Sequence, residues 1–398
     1  MASLEGMRVL DMTQYEAGTS ATQYLAWLGA DVVKVEGPTG DPGRHVGSGT
    51  NGADSQYFMN YNGNKRSIVL NLKTERGRQT FFDLVPHFDV FIENYGPGIL
   101  EALDIDIEYL RKLNPRLICV RLKGFGLSGP YKDFLVYDWV AQAAAGAFSV
   151  TGDVDGPPRI VGPTYADSGT GMQAAIGILA AYVEMQRTGR GQVIELSMQE
   201  AVSMFMRTLE LEKWGHTPAT RHGYLRGRAA GGLYKCKGDD PNDWMFIYPA
   251  TTQMWDALCA TIDRPDMVND ERYVTAEARV ENIDSVYEQI AAWTAQHDKR
   301  EAMRLLGAAG VPCSYVFDTV DLFEDEHLKS RDFIQTIQHP IAGPVQLMRP
   351  ALLMEGMEPM EPSPALGQHT DEVLREVLGL DAGALAALRA DGVTQARG

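Results

Sequence analysis

The segment Gly162-Pro-Thr-Tyr-Ala-Asp-Ser-Gly-Thr-Gly-Met172 puts one acid, Asp167, where a Gly/Pro-rich loop enters an apolar helical stretch, Met172 to Met185. Spacing alone leaves two compatible roles open: a helix N-cap, or a nucleophile presented at a helix terminus. A helix N-terminus would also keep the carboxylate ionised, as nucleophilic attack requires. Other catalytic devices are not expected. The 8 histidines, His45, His87, His216, His222, His297, His327, His339 and His369, form neither HxH nor HExxH, so no metal site is expected. No GxSxG elbow occurs. Cys119, Cys236, Cys259 and Cys313 are far apart, form no CxxC pair and read as reduced thiols. The chemistry is therefore expected from a carboxylate or a tyrosine.

A carboxylate acts only where a fold holds it. The first half of the chain alternates strand and helix: Met7 to Met12, Asp31 to Glu36, Ser67 to Asn71, Val90 to Glu93 and Leu117 to Leu122 as strands, with helices at Ala21 to Leu28, Glu75 to Leu84 and Ile107 to Leu113. Such alternation predicts an α/β fold built on a Rossmann-like parallel sheet with helices on both faces. Helices dominate from Trp139 to Gln186, and the strand-like Gln192 to Leu196 precedes a long helix from Met198. The texture changes near the glycine-rich, basic stretch His222 to Gly232, which opens a smaller α/β domain. The expected division is 1–222 and 329–398 as a discontinuous large domain and 223–328 as the small one, with a last amphipathic helix from Thr370 to Leu380.

The first strand–helix turn, Thr13-Gln-Tyr-Glu-Ala-Gly-Thr-Ser20, is the natural place for a nucleotide site. It is not GxGxxG, and Glu16 would oppose a pyrophosphate. An NAD(P)-dependent oxidoreductase is therefore a weak alternative. With 36 Lys plus Arg against 53 Asp plus Glu, the 398-residue chain carries a formal charge of −17, which argues against nucleic acid or an anionic membrane as partner. No spanning helix and no secretory signal are read, so a cytoplasmic protein is expected.

Six blocks, in order, carry a resemblance: Met7-Arg-Val-Leu-Asp-Met-Thr13, Leu28-Gly-Ala-Asp-Val-Val-Lys-Val-Glu36, Asn64-Lys-Arg-Ser-Ile-Val-Leu-Asn-Leu-Lys73, Glu93-Asn-Tyr-Gly-Pro-Gly98, Tyr165-Ala-Asp-Ser-Gly-Thr-Gly-Met172 and Thr188-Gly-Arg-Gly-Gln192. Together with Gly231-Gly232 and Leu366-Gly-Gln-His-Thr370, they resemble the class III (CaiB/BaiF) coenzyme A transferases along nearly the whole chain. The resemblance implies an interlocked homodimer, no permanently bound cofactor, acyl-CoA as substrate and a small carboxylic acid as acceptor. It places Asp167 on the catalytic aspartate, attacking the thioester to form an acyl anhydride and then an aspartyl-CoA thioester.

By the same resemblance Gly231 and Gly232 belong to a flexible loop whose N–H groups stabilise oxyanions. Gln14, Tyr15, Ala17, Arg44, Leu70, Lys73, Asn94, Tyr95, Leu103 and Tyr137 are expected to bind CoA, and Tyr57 and Met198 to line the substrate channel. Glu16 stands where the formyl-CoA branch of the family has a glutamine. Facing Asp167 it would form a coupled acid pair, held partly protonated and donating a hydrogen bond to an anhydride or acid intermediate; otherwise it is an exposed loop acid. Arg44, Arg226 and Arg228 suggest that a carboxylate or dicarboxylate is held as acceptor. If Lys73 and Arg44 bind the CoA phosphates, they belong in one positive cleft. The racemase branch is the closest rival activity, but Tyr137 occupies the place of its histidine, and an ordinary tyrosine shuttles protons poorly at neutral pH.

Overall fold

The computed structural model describes residues 2–47, 49, 52–208, 215–226 and 231–395. The chain forms two compact units: Met1–Ala147 with Val161–Leu209 and Asp332–Gly398, and Phe148–Ile160 with Glu210–Arg331.

The first unit is built on six strands, β1 (Arg8–Met12), β2 (Asp31–Glu36), β3 (Arg66–Val69), β4 (Val90–Glu93), β5 (Ile118–Lys123) and β6 (Val193–Ser197). All neighbours pair parallel in the order β3-β2-β1-β4-β5-β6. The helices between them are α1 (Ala17–Trp27), α2 (Gln56–Asn62), α3 (Glu75–Leu84), α4 (Ile99–Ala102), α5 (Ile107–Leu113), α6 (Asp138–Ala144), α7 (Tyr165–Thr188) and α8 (Met198–Ser203). The expected parallel α/β sheet is present. Strands β1 to β5 are buried on both faces, which is why they read as apolar runs, whereas the edge strand β6 exposes Val193 and Glu195.

Successive strand residues feed two cores. Leu10, Val33, Phe91 and Cys119 join Phe81 and Leu84 of α3 on one face. Val9, Val32, Val90 and Val120 join Leu25 of α1 and Ile178 of α7 on the other.

The second unit carries the antiparallel sheet of β7 (Leu225–Arg226), β8 (Gly231–Lys235), β9 (Trp244–Ile247) and β10 (Cys313–Tyr315). Its helices are α9 (Thr252–Thr261), α10 (Ala276–Glu281), α11 (Ile283–Thr294), α12 (Lys299–Ala308), α13 (Asp321–Glu324) and α14 (Glu326–Ser330). Segment 148–160 belongs to this unit, which the sequence does not signal. Arg221 holds it by donating to the carbonyls of Ser149, Asp153 and Gly156.

The chain then returns to the first unit through the hairpin β11 (Ile334–His339) and β12 (Gly343–Met348), where the proline pattern suggests only an extended segment. The helix expected over Thr370 to Leu380 is present, and a further helix follows it. Gly379, at φ 67°, ends α15 (Thr370–Leu378), and Asp381 caps α16 (Ala382–Ala390). Leu385 and Leu388 of α16 complete the core beside α3. The long helix expected from Met198 is short, since α8 gives way to a 3₁₀ turn over Met204–Thr208.

Candidate active site

Strand order reverses between β1 and β4, and in doubly wound sheets ligands bind at the carboxyl ends of strands at such a switch point. The loops after these two strands are clasped together: the Gln14 N–H donates to Asn94 Oδ1 at 2.7 Å, and Asn94 Nδ2 donates to the Gln14 carbonyl at 2.8 Å. A cleft of about 410 Å³ opens there. Its walls include Gln14 to Ala17, Asn94 to Pro97, Lys123, Lys132, Phe134 to Tyr137, Asp167 and Met198.

Glu16 and Asp167 are brought together by α1 and α7. Thr164, Asp167, Ser168 and Gly171 share one stripe at i, i+3, i+4 and i+7, and Gly171 meets α1. A Cβ on Gly171 would lie 2.0 Å from Ser20 Oγ and 2.6 Å from the Ala17 carbonyl oxygen. Glycine therefore permits the close approach that seats Glu16 against the first turn of α7. There Thr164 Oγ1 at 2.9 Å and Ser168 Oγ at 2.7 Å both donate to Glu16 Oε1, and the Tyr61 hydroxyl lies near enough to favour the ionised carboxylate.

Asp167 is not the N-cap of its helix. α7 begins at Tyr165, so Asp167 sits in its first turn, and the cap comes from a distant residue. Asp138 Oδ2 accepts the N–H groups of Ala166 at 2.8 Å and Asp167 at 2.9 Å. Among the described residues no donor reaches the Asp167 carboxylate. Burial pushes its carboxyl up to about 8, and the charges of Glu16 and Asp138 add to the rise. Burial also raises Glu16, against the downward pull of the Ser168, Thr164 and Tyr61 hydroxyls. Glu16 is thus a buried acceptor of the Thr164 and Ser168 hydroxyls, and not the exposed loop acid of the alternative reading.

The turn that carries Glu16 rests on buried ion pairs. Asp11 meets Lys65 at 3.2 Å and accepts from the hydroxyls of Thr13 and Thr22. Lys34 meets Asp41 at 2.9 Å and donates to the Thr13 carbonyl at 2.7 Å. Asp41 also takes the N–H of Tyr15, a non-glycine residue at φ 58°.

Arg44 belongs to this foundation, which corrects its expected role. It grips Glu36 at 2.7 and 2.6 Å, meets Asp54 at 2.5 Å, donates to the Pro364 carbonyl and covers the Phe58 ring at 3.8 Å. Its charge is neutralised in the interior and cannot also hold a CoA phosphate.

Lys73 is exposed in the loop before α3 and does not line the cleft, so the expected Lys73–Arg44 cleft is absent. Leu70 is fully buried in the core, and Leu103 packs against that core; neither lines the cleft. Tyr57 lies close enough to Glu16 and Asp167 that, after burial, their charges are the main causes raising its hydroxyl. Tyr137, 65% exposed, meets the Tyr15 ring edge-on at 6.0 Å. Gly231 and Gly232 are strand residues of the second unit, paired to β7 and to β9, in place of the expected flexible loop. The side chain of Arg226 and the whole of Arg228 lie outside the described residues.

Sequence reasoning missed Asp138, Thr164, Ser168, Tyr61 and Lys132. Ser168 and Thr164 were detectable as hydroxyls one residue after and three before Asp167. Lys123, also in the cleft wall, donates to Glu93 Oε2 at 2.7 Å and to the Tyr95 carbonyl. Lys132 is exposed and forms no ion pair among the described residues.

Residues 4–370 match CoA-transferase family III. The chain belongs to that family. Class III CoA-transferases similar to it include the formyl-CoA:oxalate CoA-transferase of Streptomyces avermitilis, 39% identical over 98% of this chain and 99% of the relative. Another, from Rhodopseudomonas palustris strain BisA53, is 36% identical over 95% and 94%. Among solved structures, a CaiB/BaiF family protein from Brucella suis superposes with a TM-score of 0.83 at 28% identity, covering 94% of this chain and 99% of the other. Rv3272 from Mycobacterium tuberculosis superposes with a TM-score of 0.80 at 26% identity, covering 93% and 98%. This class III CoA-transferase acts on CoA substrates. Among the described residues no metal-binding cluster occurs, and no helix is long and apolar enough to cross a membrane.

Proposed function

We propose that this enzyme moves coenzyme A from an acyl-CoA to a free carboxylic acid with Asp167 as covalent nucleophile. The observation that carries the reading is the Asp167 carboxylate itself: it lines the switch-point cleft, no donor among the described residues holds it, and its surroundings make it more basic than an ordinary carboxylate.

The ionised Asp167 attacks the thioester carbonyl, the C–S bond breaks, and CoA thiolate leaves an aspartyl acyl anhydride. The thiolate then attacks the aspartyl carbonyl of the anhydride, releasing the donor acid and forming an aspartyl-CoA thioester. The acceptor carboxylate attacks this thioester and expels the thiolate, giving a second anhydride. Attack of the thiolate on the acceptor's acyl carbon yields the new acyl-CoA and frees Asp167. No step passes the activated acyl group to water. The N-termini of α1 and α7 border the reacting carboxylate, so backbone dipoles favour the negative charge that develops on the tetrahedral intermediates. Lys132 is the cleft cation free to meet a CoA phosphate, while Phe134, Leu135 and Tyr137 offer an apolar wall to the thioester arm.

The names of the relatives supply formyl-CoA and oxalate as first substrates to assay. The case for a dicarboxylic acceptor is weakened by Arg44, which is committed to Glu36 and Asp54. The test is trapping. Incubation with acyl-CoA and borohydride or hydroxylamine should modify the peptide containing Asp167, read by mass spectrometry, and Asp167→Asn should abolish both modification and transfer. Full transfer activity in Asp167→Asn would refute the covalent role.

A further inference from the structure

Glu16 is 1% exposed and lines the same cleft as Asp167. Thr164 and Ser168 flank Asp167 on α7, and both hydroxyls converge on one oxygen of Glu16, with the Tyr61 hydroxyl nearby. These hydroxyls favour the ionised carboxylate and oppose the burial that raises it. No lysine or arginine pairs with Glu16 among the described residues, and the charges next to Asp167 are the acids Glu16 and Asp138. The two lysines of the cleft do not offset this: Lys123 is neutralised by Glu93, and Lys132 lies on the exposed segment before Phe134.

We infer that Glu16, hydrogen-bonded by Thr164 and Ser168, is a specificity-determining charge filter which admits acyl groups carrying one reacting carboxyl and rejects short acids with a second carboxylate close to it. The inference rests on the CoA-transfer reading. A short diacid would place its second, unreacting charge in the low-dielectric cleft beside a fixed anion, with no fixed cation among the described residues to offset it. A monocarboxylate loses its charge on forming the anhydride and leaves none beside Glu16. The same asymmetry applies to the donor acyl group, because donor and acceptor pass through equivalent anhydrides.

The experiment compares matched acceptors, acetate with oxalate, propionate with malonate and butyrate with succinate, by kcat/KM in the full-length protein and in Glu16→Gln. The wild type should favour the monoacid of each pair at least tenfold, equivalent to about 1.4 kcal/mol. Glu16→Gln should shrink that preference at least tenfold, chiefly through a lower KM for the diacid. The double variant Thr164→Val with Ser168→Ala, which removes two donors and keeps the carboxylate, should shrink it partially. A merely structural role for Glu16 would depress both acids of a pair equally, and an unchanged ratio in Glu16→Gln would overturn the inference, as would a wild-type preference for diacids. Loss of all transfer and of all Asp167 trapping in the wild type would instead sink the CoA-transfer reading, and the filter with it.

Discussion

Two neighbouring acids in one cleft do different work because their surroundings differ. Glu16 is surrounded by hydroxyl donors, whereas Asp167 has only its backbone N–H satisfied, by Asp138. A carboxyl raised to about 8 is mostly protonated at neutral pH, so the reactive anion becomes more abundant as pH rises. The expected kcat/KM profile climbs about tenfold per pH unit below about pH 8 and levels above it; a flat profile from pH 6 to 8 would contradict this. Stability has the opposite sign. A carboxyl whose folded pKa lies above its unfolded value binds its proton more tightly when folded, so its contribution is lost as pH rises from about 4 to about 8. Asp167→Asn removes that loss. The variant should therefore match the wild type near pH 4 and exceed it by on the order of 2 kcal/mol near pH 8, measured by urea unfolding.

At the scale of elements, the nucleophile is positioned by a cap and a close helix contact. Asp138→Ala deprives the first turn of α7 of its acceptor, which should cost about 1 kcal/mol of stability and lower kcat more than it raises KM. Gly171→Ala inserts a methyl where Ser20 Oγ and the Ala17 carbonyl already lie, so α1 and α7 must separate. A destabilisation of about 1 to 3 kcal/mol is expected, with a fall in transfer rate, and both are checked by thermal melts and steady-state assays. The stop at Gly189, at φ 69°, was legible in the sequence. The start of α7 was not, because Gly169 and Gly171 suggest a loop, and only the packing of Gly171 against α1 and of Gly169 against the Phe205 ring shows why glycines sit inside a helix.

At the scale of the whole molecule, a charge of −17 meets a substrate that is itself a polyanion. Attraction must therefore come from local cations, and of the candidates named from sequence Arg44 is buried in ion pairs while Lys73 lies outside the cleft. Lys132→Ala is expected to raise KM for acyl-CoA several-fold and to flatten its dependence on salt, whereas Lys73→Ala leaves both within about twofold. Titrating KM against ionic strength checks this. The outward side of α7 exposes Met172, Ile176 and Val183. A second copy covering such a face fits the homodimer implied by the family resemblance, and light scattering should then give about twice the 43.8 kDa of one chain.

Local order alone determined the alternating elements, the parallel sheet and the candidacy of Asp167, because strand runs, helix periods and a helix entry are written over a few adjacent residues. Tertiary structure decided what each charge is for. Arg44 and Lys73 are equivalent as letters, yet the first is gripped by Glu36 and Asp54 in the interior while the second is exposed. Asp138 caps a helix that begins 27 residues later, and Glu16 takes its hydroxyl donors from Thr164 and Ser168, which lie far along the chain. Burial and partners set the free energy of a charge, and both arise from contacts between residues that no local pattern places together.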